Sequence, residues 1–473
     1  MSSVVEKLYG LPAPAEVFRR IKPRRRSFFL DSGLAVGRLG AYSFLGFEPF
    51  LTVVARNGIC RIEEEGRASE EVAGEPLETL RRLLQRYRAE ADPRLPFTGG
   101  AVGYLSYEYG ASWERVPLRE GPAGHGAVVS VPDFEFSFYD GLLAFEHAAA
   151  QWHLVVNPVH RADAEQIRQR LLDAVQQEDS MAAQDPVTEV GEPKGGALPA
   201  PDADAAWYIS AVRKIKEYIA SGDVYQVNLA QRFRGEWRGD ALALFSRLRA
   251  QTPAPFAAYL TTSFGHILSC SPERFIRLSD GKVETRPIKG TRRRGVSAEE
   301  DGRMAAELLA SAKERAELLM IVDLERNDLG RVCRPGSIKV TQLYEIETHP
   351  TVLHLVGTIR GELREGLDAI DLLRATFPGG SITGAPKIRA MEIIRELERT
   401  PRDVYTGAIG FLGFDGACDF NIAIRTVVLR GTEASYHVGA GIVWDSDPES
   451  EYEETLIKGR ALQAAFASQK GNT

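Results

Sequence analysis

Residues 267–288 read ILSCSPERFIRLSDGKVETRPI, two apolar-rich runs on either side of Ser279-Asp280-Gly281. Asp-Gly is a dipeptide that tolerates left-handed backbone at the centre of a tight turn, so 267–277 and 282–288 are expected to pair as an antiparallel hairpin. Downstream, 338–347, 352–361 and most of 405–443 read as further strands, while 299–326 reads as one or two helices, 384–398 as a helix and 450–467 as a closing helix. Upstream, Asp204 is placed to cap a helix over 205–220, with Tyr208, Val212, Ile215 and Ile219 on one face and Gly222 as its stop, followed by a strand over 224–234. Nearer the start, short strands at 28–30, 59–62, 99–104 and 142–145 accompany helices at 78–90 and 162–175. This order is not a βαβ alternation. It points to an α+β fold with large antiparallel sheets. The stretch 176–204, QQEDSMAAQDPVTEVGEPKGGALPAPDAD, has four prolines and no apolar period, so it reads as a linker or surface loop between an N-terminal region, 1–175, and a second region, 205–473.

Composition narrows the function. The 473 residues carry 58 Lys+Arg against 65 Asp+Glu, a formal charge of −7, which argues against a general nucleic-acid binder. No apolar run reaches the ~20 residues that cross a bilayer, so a cytoplasmic protein without membrane association is expected. The 4 cysteines, Cys60, Cys270, Cys333 and Cys418, form no cluster, which disfavours a disulfide framework or a zinc site. Only 12 of the 58 basic residues are lysines. A lysine inside a dense motif therefore invites a reason beyond charge, because its amine can deprotonate and attack whereas a guanidinium cannot.

Several residue groups could carry chemistry. Glu451, Glu454 and Lys458 share one helix face at i, i+3 and i+7, and Glu314 and Glu317 form a second i,i+3 pair. Such carboxylates suit a hard cation such as Mg²⁺, although pairs of this spacing are common on solvated helix faces. The turn Phe377-Pro-Gly-Gly-Ser-Ile-Thr-Gly-Ala-Pro-Lys387 could present N–H groups and hydroxyls to an anion, although it does not fit a phosphate loop. Glu273 and Lys289 could meet across the hairpin, either as an acid beside an amine or as a structural ion pair. His354 is a lone histidine on an apolar strand, a pattern shared by core histidines.

Taken in order, the motifs carry more. GDVYQVNLAQ (222–231), SPERF (271–275), RPIKGT (286–291), ERAELLMIVDLERNDLGRV (314–332), VLHLVGTIRG (352–361), FPGGSITGAPKIRAME (377–392), YTGAIGF (405–411), DFNIAIRT (419–426) and GAGIVWDSDPESEYEETLIKGRA (439–461) together resemble the chorismate-binding family. That family includes anthranilate synthase component I, aminodeoxychorismate synthase component I and the isochorismate and salicylate synthases. FFLDSG (28–33), GAYSFLGFEPF (40–50) and GGAVGYLSYEYG (99–110) resemble the N-terminal region of its aminating members.

The resemblance implies an anthranilate-synthase-like fold of two subdomains, with large antiparallel sheets in a sandwich surrounded by helices. It implies Mg²⁺ held by Glu317 and Glu454, with Glu314 and Glu451 close by, gripping the ring carboxylate of chorismate. Tyr405, Arg425 and the backbone of Gly439, Ala440 and Gly441 would take the enolpyruvyl carboxylate, with Lys458 nearby. Ser381, Thr383 and Gly384 would line the ring-carboxylate side, and His354 would sit beside the ring. Glu273 matches the general acid. Gln226 stands where water-adding members carry a lysine, so water addition is disfavoured. Lys289, in Pro-Ile-Lys-Gly-Thr, matches the lysine that attacks C2 in members making 4-amino-4-deoxychorismate; those making anthranilate usually carry alanine there. A tryptophan pocket, where retained, would lie at Asp31, Ser32, Tyr42 and Ser43. No cysteine elbow with a His-x-Glu triad is visible, so ammonia is expected from a separate glutamine amidotransferase subunit or from solution. A separate aminodeoxychorismate lyase would then form para-aminobenzoate.

Overall fold

The computed structural model describes residues 3–21, 24–34, 39–90, 92–114, 131–160, 163–176 and 197–467. The hairpin that opens the sequence reading is present. Arg274–Ser279 pairs with Lys282–Arg286, and Asp280 (φ 50°) and Gly281 (φ 71°) both take left-handed backbone at its tip. The run 267–277 is not one strand, however. It divides at Pro272 into His266–Ser271 and Arg274–Ser279, which belong to different sheets. Proline offers no ladder N–H, so pairing lapses there and the chain steps across.

Two 12-stranded sheets form the body, and every strand pair in them is antiparallel. Both draw strands from the two ends of the chain. Phe28–Asp31 pairs with Phe256–Thr261 in one sheet, and Gly100–Leu105 pairs with Ala408–Gly413 in the other. Phe28, Phe44, Tyr104, Ile409, Phe411 and Val428 fill the space between the sheets. The outer face of the first sheet is covered by the helices Pro14–Ile21, Ala164–Gln176 and Ala241–Gln251, which bury Phe18, Leu171 and Leu248. The second sheet is covered by Pro76–Arg86 and Ala312–Gly330 among others. The fold is thus α+β, a sheet sandwich jacketed by helices.

Local signals set the helices. Asp204 caps Ala205–Ala220 by accepting from the Trp207 N–H at 2.7 Å, and Gly222 (φ 82°) follows its end. The helical stretch 299–326 is two helices, Ala298–Ala310 and Ala312–Gly330, with Ser311 ending one and capping the next. Gly384 is not helical. Gly384–Ala385 pairs with Gln226–Val227, and the helix begins at Lys387. A Cβ on Gly384 would lie 2.2 Å from the Gln226 carbonyl oxygen, so only glycine permits this approach. Most of the linker stretch 176–204, namely 177–196, lies outside the described residues. All 4 cysteines are buried free thiols.

Candidate active site

Glu273 occupies the step between the two sheets. Ser271 Oγ donates to the Ile422 carbonyl at 2.6 Å and the Ile422 N–H donates to the Glu273 carbonyl at 3.1 Å, which pins the crossover. Glu273 is 4% exposed. Its Oε1 accepts from Ser381 Oγ at 2.7 Å and from the Ile288 N–H at 3.3 Å. Burial pushes its pKa up to about 7, against the pull of Ser381, Lys289 and that N–H.

Lys289 comes from the strand that follows the hairpin in sequence, Ile288–Arg293. The register against Val352–Glu362 shifts between Lys289 and Thr291, with Gly290 at φ 68°. Such a bulge re-aims the adjacent side chain. Lys289 Nζ donates to the Ser381 carbonyl at 3.1 Å. Ser381 therefore joins the pair, its hydroxyl on the acid and its carbonyl on the amine. Burial lowers the Lys289 pKa, opposed by Glu317 and Glu273 and reinforced by Lys458. A buried acid that holds its proton longer and an amine that loses it sooner are the two states a proton-coupled displacement requires.

Facing them is a ledge formed by Gln226–Glu236 paired with Glu433–Ile442, in which Asn228 lies opposite Gly441 and Ala230 opposite Gly439. A Cβ on Gly439 would meet Asn228 Oδ1 at 2.6 Å and Tyr405 Oη at 2.8 Å; one on Gly441 would meet Gln226 Nε2 at 2.7 Å and Lys289 Nζ at 3.9 Å. The absent side chains leave room in which these polar groups converge. Both amide atoms of Gln226, and Asn228 Oδ1, are buried without a hydrogen-bond partner. Lys458 Nζ donates to the Gly439 carbonyl at 3.2 Å and pairs with Glu454 at 2.6 Å. Arg425 sits at the second crossover between the sheets in left-handed backbone (φ 51°). Burial lowers its pKa, and it has no ion pair among the described residues. His354 Nδ1 lies 3.0 Å from Thr291 Oγ1, while its Nε2 is buried and unpartnered. Burial, with Arg425 and His349 adding, keeps this ring neutral. Thr383 turns its hydroxyl back onto the Gly379 carbonyl at 3.0 Å and shapes the turn instead of facing outward.

The four glutamates stand on two helices beside Lys289. Glu314 pairs with Arg292 at 3.3 Å, and Glu317 lies 4.0 Å from Lys313, both on Ala312–Gly330. On Pro448–Gln463, Glu451 accepts from Ser446 Oγ at 2.6 Å and Glu454 takes Lys458. Burial, with Glu314 and Glu451 adding, raises the Glu317 pKa, and burial with Glu454 raises Glu451. Among the described residues, no three His, Cys, Asp or Glu side chains form a closed metal cluster. The donor set is nonetheless all carboxylate oxygen, and its members repel one another across the two helices. Its chemistry suits a hard divalent cation.

Asp31, Ser32, Tyr42 and Ser43 lie apart from this site. Asp31, Ser32 and Tyr42 line a separate cavity of about 550 Å³ with Pro255, Phe256 and Asn421. Asp31 is paired with Arg249 at 2.5 Å, and Ser43 Oγ donates to it at 3.1 Å. The sequence alone gives no role to three further residues: Asn228 and Thr291 lie inside the motifs, and Arg402 lies outside them. Asn228 lies on the ledge and Thr291 against His354. Arg402, buried and paired with Glu398, donates to the carbonyls of Asn228 at 2.7 Å and Ile382 at 3.0 Å, tying ledge to turn.

The family of chorismate binding enzymes matches residues 37–464. This chain belongs to that family. Aminodeoxychorismate synthase component 1 of Bacillus subtilis (strain 168) is 38% identical over 450 residues, covering 95% of this chain and 93% of that protein. Anthranilate synthase component 1 of Streptomyces coelicolor is also 38% identical, over 464 residues, covering 96% and 86%. Among solved structures, anthranilate synthase component I from Streptococcus pneumoniae TIGR4 matches with a TM-score of 0.78 at 30% identity, covering 91% of this chain and 93% of that one. The family is one of chorismate-utilising enzymes, and overall identity is the same to these two relatives of different type. The residues of the site must discriminate between them.

Proposed function

We propose that this enzyme aminates chorismate to 4-amino-4-deoxychorismate, the route to para-aminobenzoate and folate, through a covalent adduct on Lys289. The observation that carries the reading is Lys289 itself, an amine joined through Ser381 to a carboxyl whose pKa burial raises to about 7. The free amine attacks C2, the ring double bonds shift, and the C4–O bond breaks as Glu273 protonates the departing hydroxyl to water. Ammonia then attacks C4, the double bonds shift back, and the C2–N bond breaks to release the lysine amine. The new C4 ammonium returns a proton to Glu273. Nitrogen therefore ends at C4. Direct attack of ammonia at C2 would instead lead to anthranilate.

Arg425, Tyr405, Lys458 and the glycine ledge at 439–441 are assigned to the enolpyruvyl carboxylate, and the Ser381–Gly384 turn to the ring-carboxylate side, with neutral His354 beside the ring. Glu317 and Glu454, assisted by Glu314 and Glu451, would hold Mg²⁺, which supplies positive charge for the ring carboxylate when bound. A tryptophan-type ligand, where the pocket is retained, would take the cavity at Asp31 and Ser32. Ammonia is assigned to a glutamine amidotransferase partner, and pyruvate elimination to a separate lyase.

Pure protein given chorismate, ammonium and Mg²⁺ should yield para-aminobenzoate only when an aminodeoxychorismate lyase is added. Anthranilate formed without lyase would select the alternative, an anthranilate synthase. Gly439→Ala tests the ledge. Its methyl would occupy the space between Asn228 and Tyr405, so KM for chorismate should rise by more than about tenfold, ~1.4 kcal/mol, with a small change in thermal midpoint. An unchanged KM would remove substrate from the ledge.

A further inference from the structure

A second buried carboxyl lies behind Glu273. Glu325, on Ala312–Gly330, is 7% exposed. Its Oε2 is 2.8 Å from Thr285 Oγ1, and that hydroxyl oxygen is also 2.6 Å from the Phe275 carbonyl oxygen. A carbonyl oxygen can only accept, and a hydroxyl has a single proton to donate. With the Thr285 proton on Phe275, an ionised Glu325 would press two proton-free oxygens together at 2.8 Å. A protonated Glu325 turns the same contact into a hydrogen bond in which the carboxylic acid donates. The Phe275 contact also has a structural purpose. The ladder between Arg274–Ser279 and Lys282–Arg286 shifts register between Arg274 and Arg277, and Thr285 hydrogen-bonds across that irregularity.

The charged groups facing Glu325 agree. Glu273 and Asp328 both repel a negative charge there, and Lys387, the nearby cation, is already bonded to Asp328 and to the Thr376 carbonyl. Burial, together with these carboxylates, holds the Glu325 proton well above the usual carboxylate range.

We propose that Glu325 is a positioning residue kept as a neutral carboxylic acid, donating to Thr285 and so bracing the hairpin Arg274–Arg286, which Glu273 immediately precedes and the strand of Lys289 follows, without placing a charge behind the general acid. The bracing role rests on the reading of Glu273 as that acid; the proton on Glu325 does not.

Infrared difference spectra of the intact enzyme, wild type against Glu325→Gln, should show one protonated-carboxyl stretch at neutral pH, where an exposed glutamate is ionised, and its loss in the variant. A carboxylate band in its place would overturn the proposal. The glutamine amide can donate to Thr285 as the acid does, so Glu325→Gln should keep kcat within about threefold and leave the alkaline limb of the pH profile in place. A limb displaced to lower pH would mean that a negative charge had been removed, and would also overturn it. Glu325→Leu, which cannot donate, should lower kcat by more than about tenfold with KM little changed; should it fail to fold, the Glu325→Gln measurements decide alone. If the infrared band is present but Glu273→Gln turns over normally, the neutral Glu325 stands and the reading of Glu273 falls.

Discussion

Lys289→Ala is expected to cut formation of 4-amino-4-deoxychorismate by at least about 100-fold, ~2.7 kcal/mol of barrier, and to release some anthranilate instead. The amine contacts the Ser381 carbonyl and stands beside Gly441 on the ledge. Without it, nitrogen reaches C4 by no double displacement, and ammonia is left to attack C2. Folding should survive, since the side chain contributes one hydrogen bond, worth about 1 kcal/mol, from a partly buried site. The pH dependence gives an independent check. Acid protonates the lysine and alkali ionises Glu273, so the wild type should show a bell whose two limbs belong to the interacting pair. At fixed free ammonia, Lys289→Ala should lose the acid limb and keep a decline as pH rises through about 7. Product analysis by mass spectrometry that finds the same product at the same rate in both proteins would remove the covalent role.

Glu273→Gln should lower kcat by about 10²- to 10⁴-fold with little change in substrate affinity, the usual effect of losing a placed general acid. The substitution is close to isosteric. An amide oxygen can still accept from Ser381 Oγ and the Ile288 N–H, so the crossover between the sheets is retained. The stability change has a definite sign. Burial raises the folded-state pKa to about 7, above that of an exposed glutamate, so this carboxyl favours the fold at low pH and disfavours it increasingly as pH rises toward 7. Glutamine has no charge to bury. Above pH 7 the variant should therefore melt at or above the wild-type temperature while being nearly inactive. A variant that loses activity and thermal stability together would point to a structural role.

Much of this was legible in the residues. Asp204 and Gly222 delimit a helix because cap and stop chemistry is local, and Asp280-Gly281 marks a turn because few other pairs accept its backbone. The motif series gave the family, and the structure gathers Glu273, Lys289, Ser381, Gly439, Tyr405 and Lys458 around one ledge. What stayed hidden was non-local. Pro272 signals an interruption, but nothing in the run says that the chain there leaves one sheet for the other. Gly384 sits in a segment of helical period, yet its pairing with Val227 depends on a strand far earlier in sequence. Glu325 looks like one more polar residue on a charged helix until Thr285 and Phe275 are seen against it.

The interleaving of the two chain ends in both sheets bears on how the molecule is made. During synthesis, Phe28–Asp31 must wait for Phe256–Thr261, and Gly100–Leu105 for Ala408–Gly413, before each gains its second partner. Until then the early strands present bare hydrogen-bonding edges and the aromatic surface of Phe28, Phe44 and Tyr104. Assembly that depends on such distant pairing is slow and leaves the nascent chain open to misassociation. The two ends are consequently obliged to fold as one cooperative unit, in which the last-made strands complete what the first began.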